Sequence, residues 1–320
     1  MKIGLFTNCF PTQSWDEICA MARKCGIQHI EAGAGCFNGK AHCNPRELLN
    51  DKGKLKSFLE TARRHEVEIA ELSAMGNYLN PDGHAAEESV NDLCAAMELG
   101  SEIGVGTVNV LSGCPGAGEH DIAPNFIAFP YPPENLKYLQ WQWDERVLPF
   151  WTKMTKRAKE LGVRFALKMH PGFAVYNPDS FLRLRNTVGG DVIGCKFDAT
   201  HLIWNGIDPV QAIYALEGTI ISSHAQDCEI NEMVMRTNGC FSSRPYDDPR
   251  NRPWNFRIIG YGHGEEYWRK TFTALRDTGF DGFVNIEHLD YTFSLEEGVA
   301  RAAEFLNRTV FFQTPQKVNF

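Results

Sequence analysis

The sequence predicts a (β/α)8 TIM barrel with long loops after its fourth and seventh strands. Three observations carry this. Eight strand-like apolar runs alternate with helical patterns, and no second unit is left over. Such a barrel uses about 250 residues, and the surplus in this 320-residue chain falls in two aperiodic stretches, each after a strand. Two consecutive runs near the middle, 164–169 and 192–197, end in residues able to do chemistry, as parallel strands do at an active site. The domain is therefore taken as 1–320, with insertions at about 112–133 and 228–257.

Taken in order, residues 2–6 read as strand one. Ser14 can cap a helix to about Lys24 that carries Ile18, Ala22 and Cys25 on one face. Residues 29–32 are strand two, ending near Glu31, and Gly33, Gly35 and Gly39 make the next loop flexible. A helix over 54–64 carries Leu55, Phe58, Leu59 and Ala62. Strand three is 68–72, a long helix covers 85–103, and strand four is 107–111.

Residues 112–133 are rich in Gly and Pro without periodicity, and a loop of that length inside a compact domain usually serves function. Helical spacing returns over 134–160. Strand five, a helix over 178–187 and strand six follow, then a helix over 208–216 and strand seven over 219–224. The second aperiodic stretch is 228–257. A helix over 265–276, strand eight over 283–287 and a helix over 295–306 close the chain. An open doubly wound sheet is the alternative. Against it, TNCFPT stands where a glycine-rich phosphate loop would follow the first strand.

Composition excludes several partners. The net charge is −8 with both signs interleaved, so no basic stripe offers itself to nucleic acid or an anionic membrane. No run approaches the ~18 apolar residues of a membrane helix, and the opening MKIGLFTNCF is too short for a signal-peptide core. The ten cysteines form no CxxC pair and are expected as free thiols in a reducing cytoplasm.

The ends of strands five to eight collect Lys168 and His170, Asp198 and His201, His224 and Asp227, and Glu287 and His288. Carboxylate oxygen and imidazole nitrogen together suit a divalent ion, Mn²⁺ first, with Mg²⁺, Co²⁺ or Zn²⁺ as alternatives. Each residue alone has a plainer use. Asp198 can cap the following turn, His224 can be a satisfied core histidine, and Glu287 can pair with Arg257 or Lys168.

The segments MHPGFAVYNP, FDATHLIWNGIDP, SHAQD, RIIGYGH and VNIEHLD, in this order, resemble the xylose-isomerase-like TIM barrels of the sugar-phosphate isomerase/epimerase superfamily. The resemblance covers essentially the whole chain. It implies a divalent metal held by Asp198, His224 and Glu287, with a fourth carboxylate at the position that is Lys168 here. A protonated lysine cannot ligate a metal. Lys168 can swing away, act neutral as base or ligand, or put its ammonium in the metal's place against Asp198 and Glu287. A register with Met169 or His170 as ligand is less like the family.

The loop CPGAGEHDIAPNFIAFPYPP followed by WQWDE narrows the resemblance to the large subunits of bacterial C-glycoside deglycosidases. That resemblance implies a 3-keto glycoside substrate, cleavage by β-elimination after proton abstraction, and a small β-rich partner subunit. His201 matches the family's substrate-hydroxyl histidine. His170, beside the strand-five end, is the candidate general base, its plainer role being to fix the HPG turn. Glu287 is assigned with these two to catalysis. Arg257 and His263 are candidates for substrate oxygens. Trp141, Trp143, Trp204 and Trp254 are candidates for stacking on a sugar or aglycone, core packing being the commoner fate.

Two classes of function follow. One is an enzyme that abstracts a proton beside a keto sugar's carbonyl, first as a C-glycoside deglycosidase, a lyase, and alternatively as a sugar isomerase/epimerase. The other is a non-catalytic sugar-binding barrel with its metal site broken at Lys168. An apurinic-site endonuclease is rejected because the chain is acidic.

Overall fold

The computed structural model describes residues 1–313. Its elements in chain order are β1 (Lys2–Phe6), α1 (Trp15–Lys24), β2 (His29–Gly33), α2 (Pro45–Asn50), α3 (Lys52–Arg64), β3 (Glu68–Ser73), α4 (Gly83–Ile103) and β4 (Thr107–Val110). Then come α5 (Asn135–Trp141), α6 (Leu148–Leu161), β5 (Arg164–Lys168), α7 (Pro178–Val188), β6 (Ile193–Asp198), α8 (Ala199–Ile203) and α9 (Pro209–Ala215). The chain continues through β7 (Ile220–Ile230), α10 (Glu232–Asn238), β8 (Trp254–Ile258), α11 (Glu265–Asp277), β9 (Phe283–Ile286) and α12 (Leu295–Thr309).

Strands β1 to β7 and β9 pair in parallel in the order β6-β5-β4-β3-β2-β1-β9-β7, and a β6–β7 pairing closes the ring. The barrel is the (β/α)8 fold that the alternation of runs predicts. Its strands read as continuous apolar runs because both faces are covered. One face meets the barrel interior and the other the ring of helices, whose inner stripes supply residues such as Ile18, Phe58, Met97, Trp151, Phe181, Phe272 and Leu306 to the core.

Local chemistry fixes the helix starts. Ser14 forms a reciprocal capping box with Glu17, Asn177 does the same with Ser180, and Asp51, Asp82 and Asp208 each accept from first-turn N–H groups. Helices α5 and α6 are one continuous rod joined by a π-helical turn, Gln142–Val147. That turn has a visible job. The Gln142 amide nitrogen lies 2.8–3.3 Å from the carbonyl oxygens of Pro115, Gly116 and Asn125, pinning the loop after β4 to the rod.

The second expected insertion is corrected by the structure. Residues 228–257 are not structureless: β7 runs on past His224 to Ile230 and pairs antiparallel with β8, from Gln226↔Ile258 to Ile230↔Trp254. The pairing is explicable afterwards, since WNFRI alternates in side-chain type. It was hidden because its partner lies more than 20 residues away across a turn-rich segment. A second departure is α2, in the loop after β2, where Asn44 caps and Pro45 occupies the first turn.

Candidate active site

Polar side chains from four barrel strands meet at the C-terminal mouth. Lys168 ends β5, Asp198 ends β6, His224 lies within β7 and Glu287 follows β9. The Lys168 ammonium Nζ lies 2.6 Å from Asp198 Oδ2, 3.0 Å from Glu287 Oε2 and 3.2 Å from His224 Nδ1. All four side chains are buried. Asp198 divides its oxygens: Oδ1 accepts from Thr200 N–H at 3.0 Å and starts α8, while Oδ2 faces the ammonium. The Oδ2 contact is an ion pair whose approach lies outside hydrogen-bond angles, so Oδ2 has no formal hydrogen-bond donor.

His224 is clamped between two carboxylates. Its Nε2 lies 3.0 Å from Glu31 Oε2 and its Nδ1 lies 2.8 Å from Glu287 Oε2, with Phe6 stacked on the ring face at 5.1 Å. A carboxylate has no hydrogen to offer, so both contacts need an N–H on the ring, which is the imidazolium. The 3.2 Å approach to Lys168 is then a contact of two donors sharing Glu287. The electrostatics agree. Burial and Lys196 oppose the charge on His224, but Glu31 and Glu287 outweigh them and lift its pKa to about 9.

Burial likewise opposes the charge on Lys168, and Asp198 and Glu287 outweigh it, so this lysine is held protonated above its usual range. Burial raises Glu287, but Lys168 and His224 pull it to about 2. Against burial, Lys168 and His201 hold Asp198 well below the ordinary carboxylate range.

His224 makes stability depend on pH. Its folded pKa is raised, so its contribution is complete below the ordinary value of 6.5 and is lost as pH rises through about 9. That shift corresponds to roughly 3 kcal/mol. We expect the unfolding free energy of the native protein to fall over that window and the fall to be largely absent in His224→Asn. Equal slopes in the two proteins would remove His224 as the cause.

His170 and His201 form the next layer outward, their rings 4.1 Å apart. His170 Nδ1 lies 2.6 Å from Pro171 O, so it donates there and leaves Nε2 with a free lone pair. Burial first, and then the charge of Lys168, lower its pKa to about 4. His201 Nδ1 accepts from Trp204 Nε1 at 3.3 Å, and burial followed by His170 holds His201 well below the usual histidine range. His201 Nε2 stands 3.7 Å from Asp198 Oδ2.

His170 borders a cavity of about 370 Å³, whose lining includes Phe126, Trp204, Phe241, Tyr246 and Trp254. Trp204 and Trp254 stack at 4.7 Å and 6°. Both long loops thus reach this mouth, and they touch each other through Phe129 and Phe241, 6.2 Å between ring centres.

The other candidates are not among the residues lining this cavity. Trp141 sits on α5 and is not among the cavity's lining residues. Trp143 is buried with the Arg183 guanidinium 4.0 Å over its ring. Arg257 pairs with Glu229 and Asp290 and lies over the Tyr291 ring. His263 Nδ1 is 2.8 Å from Asp227 Oδ1, and Asp227 Oδ2 accepts from Gly260 N, Gly262 N, His263 N and Trp268 Nε1. Asp227 is therefore the anchor of the IIGYGH turn. His288 is spent on Ser294 O and Asp290 N. The ten cysteines are unpaired. Among the described residues no helix is long and apolar enough to cross a membrane.

The sequence reading missed a second charged layer directly beneath the first. Lys196 Nζ donates to Glu31 at 2.7 Å, Glu71 at 3.2 Å and Ser222 at 2.9 Å, all fully buried. Asn285 Nδ2 bridges the same two carboxylates at 2.7 and 2.9 Å. A signal existed: Lys196, Ser222 and Asn285 each stand two residues before Asp198, His224 and Glu287, hence on the same strand face.

Asp198, His224 and Glu287 form a group able to hold a metal ion, one ligand atom from each lying within 4.8 Å of the others. With Lys168 as it stands, however, the group does not fit one. The ammonium fills the centre at 2.6–3.2 Å from its neighbours, where a bound ion would need donors at about 2.0–2.2 Å. A dication 4 Å from an ammonium meets about 8 kcal/mol of repulsion at an effective dielectric near 20.

A closed parallel barrel with such a charged group at the C-terminal ends of its strands has the architecture of a (β/α)8 TIM barrel. The chain belongs to the xylose isomerase-like TIM barrel family, which matches residues 13–309. It is 32% identical over 313 residues to Uncharacterized protein YfiH of Bacillus subtilis (strain 168), covering 97% of this chain and 99% of that one. In fold it is similar to the IOLI protein with a binding zinc atom (TM-score 0.66, 19% identity, 97% and 98% of the two chains covered). It is similar also to L-ribulose 3-epimerase (TM-score 0.65, 17% identity, 97% and 95% covered).

Proposed function

We propose that this chain is a carbohydrate-acting enzyme that removes a proton beside the carbonyl of a keto sugar, in the manner of a sugar isomerase or epimerase. The observation that carries the reading is His170. Its Nε2 lone pair is left free by the Nδ1–Pro171 bond, and it borders the cavity one layer above a buried group of two carboxylates and an ammonium. His170 takes the proton at Nε2, and the same atom returns it to the neighbouring carbon in an isomerisation; epimerisation at the same carbon takes its proton from the opposite face. His201 keeps His170 packed, and the mutually stacked Trp204 and Trp254 form one aromatic wall of the cavity. The similarity to L-ribulose 3-epimerase supports the sugar class.

A second reading is the deglycosidase, which shares the first step and then expels an aglycone by β-elimination. The aromatic lining of the cavity, with Phe126, Phe241 and Tyr246 beyond the tryptophans, favours it, since a flat aglycone would pack there. A small β-rich partner belongs to this second reading. As to cofactor, two carboxylates and an imidazole are acceptable to Mn²⁺, Mg²⁺, Co²⁺ and Zn²⁺ alike. The donor set does not single out Mn²⁺, and the IOLI protein carries zinc.

The test is proton exchange. Ketohexoses and 3-keto glucosides incubated in D₂O should take up deuterium at the carbon beside the carbonyl, at a rate proportional to protein concentration. Aglycone release from the glycosides would select the second reading. Sugar binding with no exchange for any of these compounds would instead support a non-catalytic barrel.

A further inference from the structure

We propose that the ammonium of Lys168 is the resident cation of this site. It stands where Asp198, His224 and Glu287 would otherwise hold a divalent ion, so the chain works without a metal there. The inference rests on the keto-sugar reading only for its catalytic meaning; the occupancy claim stands on geometry alone.

Three observations carry it. The ammonium is central, in contact with a ligand atom of every member of the three-residue group, at 2.6, 3.0 and 3.2 Å. The Glu287 contact is a hydrogen bond and the Asp198 contact an ion pair, both longer than the roughly 2.0–2.2 Å of a metal–ligand bond, so the cage as it stands encloses an ammonium rather than a bare ion. Lys168 is also held from below, because its neighbour His224 is fixed through Nε2 by Glu31, which Lys196 and Asn285 position in turn. Lys168 is only 4% exposed. Lys168 hydrogen-bonds Glu287 and ion-pairs with Asp198, so a buried positive charge is fixed at the strand ends beneath His170. When the C–H bond beside the carbonyl breaks, its proton goes to His170 Nε2 and its electron pair forms the enediolate C=C. The carbonyl oxygen gains the negative charge, which the positive charge of Lys168 favours. Reprotonation at carbon reverses the shift, so atoms and charge balance with no other reactant.

The experiment compares the native protein with Lys168→Glu and Lys168→Gln. Each is incubated with Mn²⁺ or Zn²⁺, desalted and assayed for bound metal by mass spectrometry, with thermal midpoints read in parallel. The native protein should retain well under one equivalent, show no midpoint shift with metal, and keep its exchange activity in EDTA. Lys168→Glu should retain one equivalent, and its midpoint should rise by roughly 5 °C with saturating metal. Lys168→Gln should take up metal more weakly than Lys168→Glu and more strongly than the native protein. A native protein that keeps a full equivalent, lost in Asp198→Asn, would overturn the proposal whatever the variants do. Folded Lys168→Glu and Lys168→Gln that both refuse metal would overturn it as well, because the cage would then not be a cation site. If the keto-sugar reading alone fails, the exchange arm falls silent while the metal counts are unchanged.

Discussion

Replacing Lys196 by methionine should destabilise the protein by about 3–5 kcal/mol, the usual cost of removing one partner from a buried ion-pair network. Lys196 is fully buried, and its three N–H bonds have three acceptors, on Glu31, Glu71 and Ser222. Methionine keeps most of the volume and removes the charge. Glu31 and Glu71 then lie buried in the barrel with only neutral donors and His224 for company. The midpoint should drop by roughly 6–10 °C. The pH dependence identifies the cause. Burial raises the Glu31 carboxyl, and Lys196 and then His224 pull it below the ordinary range, so removing the ammonium raises it. A carboxyl held low contributes stability that is lost as pH falls through its folded value, so the deficit of the variant should shrink as pH is lowered through the carboxylate range. Lys196→Met in a Glu71→Gln background should cost less than in the native background, since one stranded charge is gone. Urea unfolding across pH decides the matter. A loss under about 1 kcal/mol, or one independent of pH, would mean that the carboxylates are not relying on Lys196.

Much of the barrel was legible because its strands are covered on both faces. Runs such as VRFALK and VIGCKF admit few other readings once helical spacing lies on either side. What failed was long-range pairing. The β7–β8 hairpin joins Ile230 to Trp254, and nothing local in either segment names the other. The apolar pattern of strand seven ends at His224, although the strand runs six residues further.

The convergence of Asp198, His224 and Glu287 was legible for a topological reason: adjacent parallel strands end at the same mouth. Which of three fates Lys168 meets was not, since that depends on where one flexible side chain settles among three partners. The structure puts the ammonium between the carboxylates. The lower layer was missed because a lone Glu31, Glu71 or Lys196 in a strand reads as a solvent-facing residue. Only the two-residue period, which sets Lys196 beneath Asp198 and Asn285 beneath Glu287, turns them inward. Arg257 and His263 lie near the mouth in sequence, and the structure engages them with Glu229, Asp290 and Asp227, pairings that nothing local in the sequence specifies.

His170→Gln should lower the rate of proton exchange by roughly 10²–10⁴-fold, the range a positioned general base supplies, with little change in stability. Two candidate bases stand at the strand ends. Glu287, at about 2, is a weaker base than His170, at about 4, and its Oε2 is already shared by Lys168 and His224. Glutamine can keep a side-chain N–H donor toward Pro171 O, so the turn survives while the lone pair for a proton is lost. The pH profile supplies a readout that a purely structural role would not move. The neutral ring is the active form and its pKa is lowered, so activity should stay level as pH falls below 6.5 and decline only toward about 4. In Lys168→Gln, with the neighbouring positive charge gone, that acid limb should move to higher pH, because Lys168 is the second cause of the depression after burial. Should His170→Gln exchange protons at the native rate while its thermal midpoint falls, the histidine only fixes the turn, and the base is Glu287.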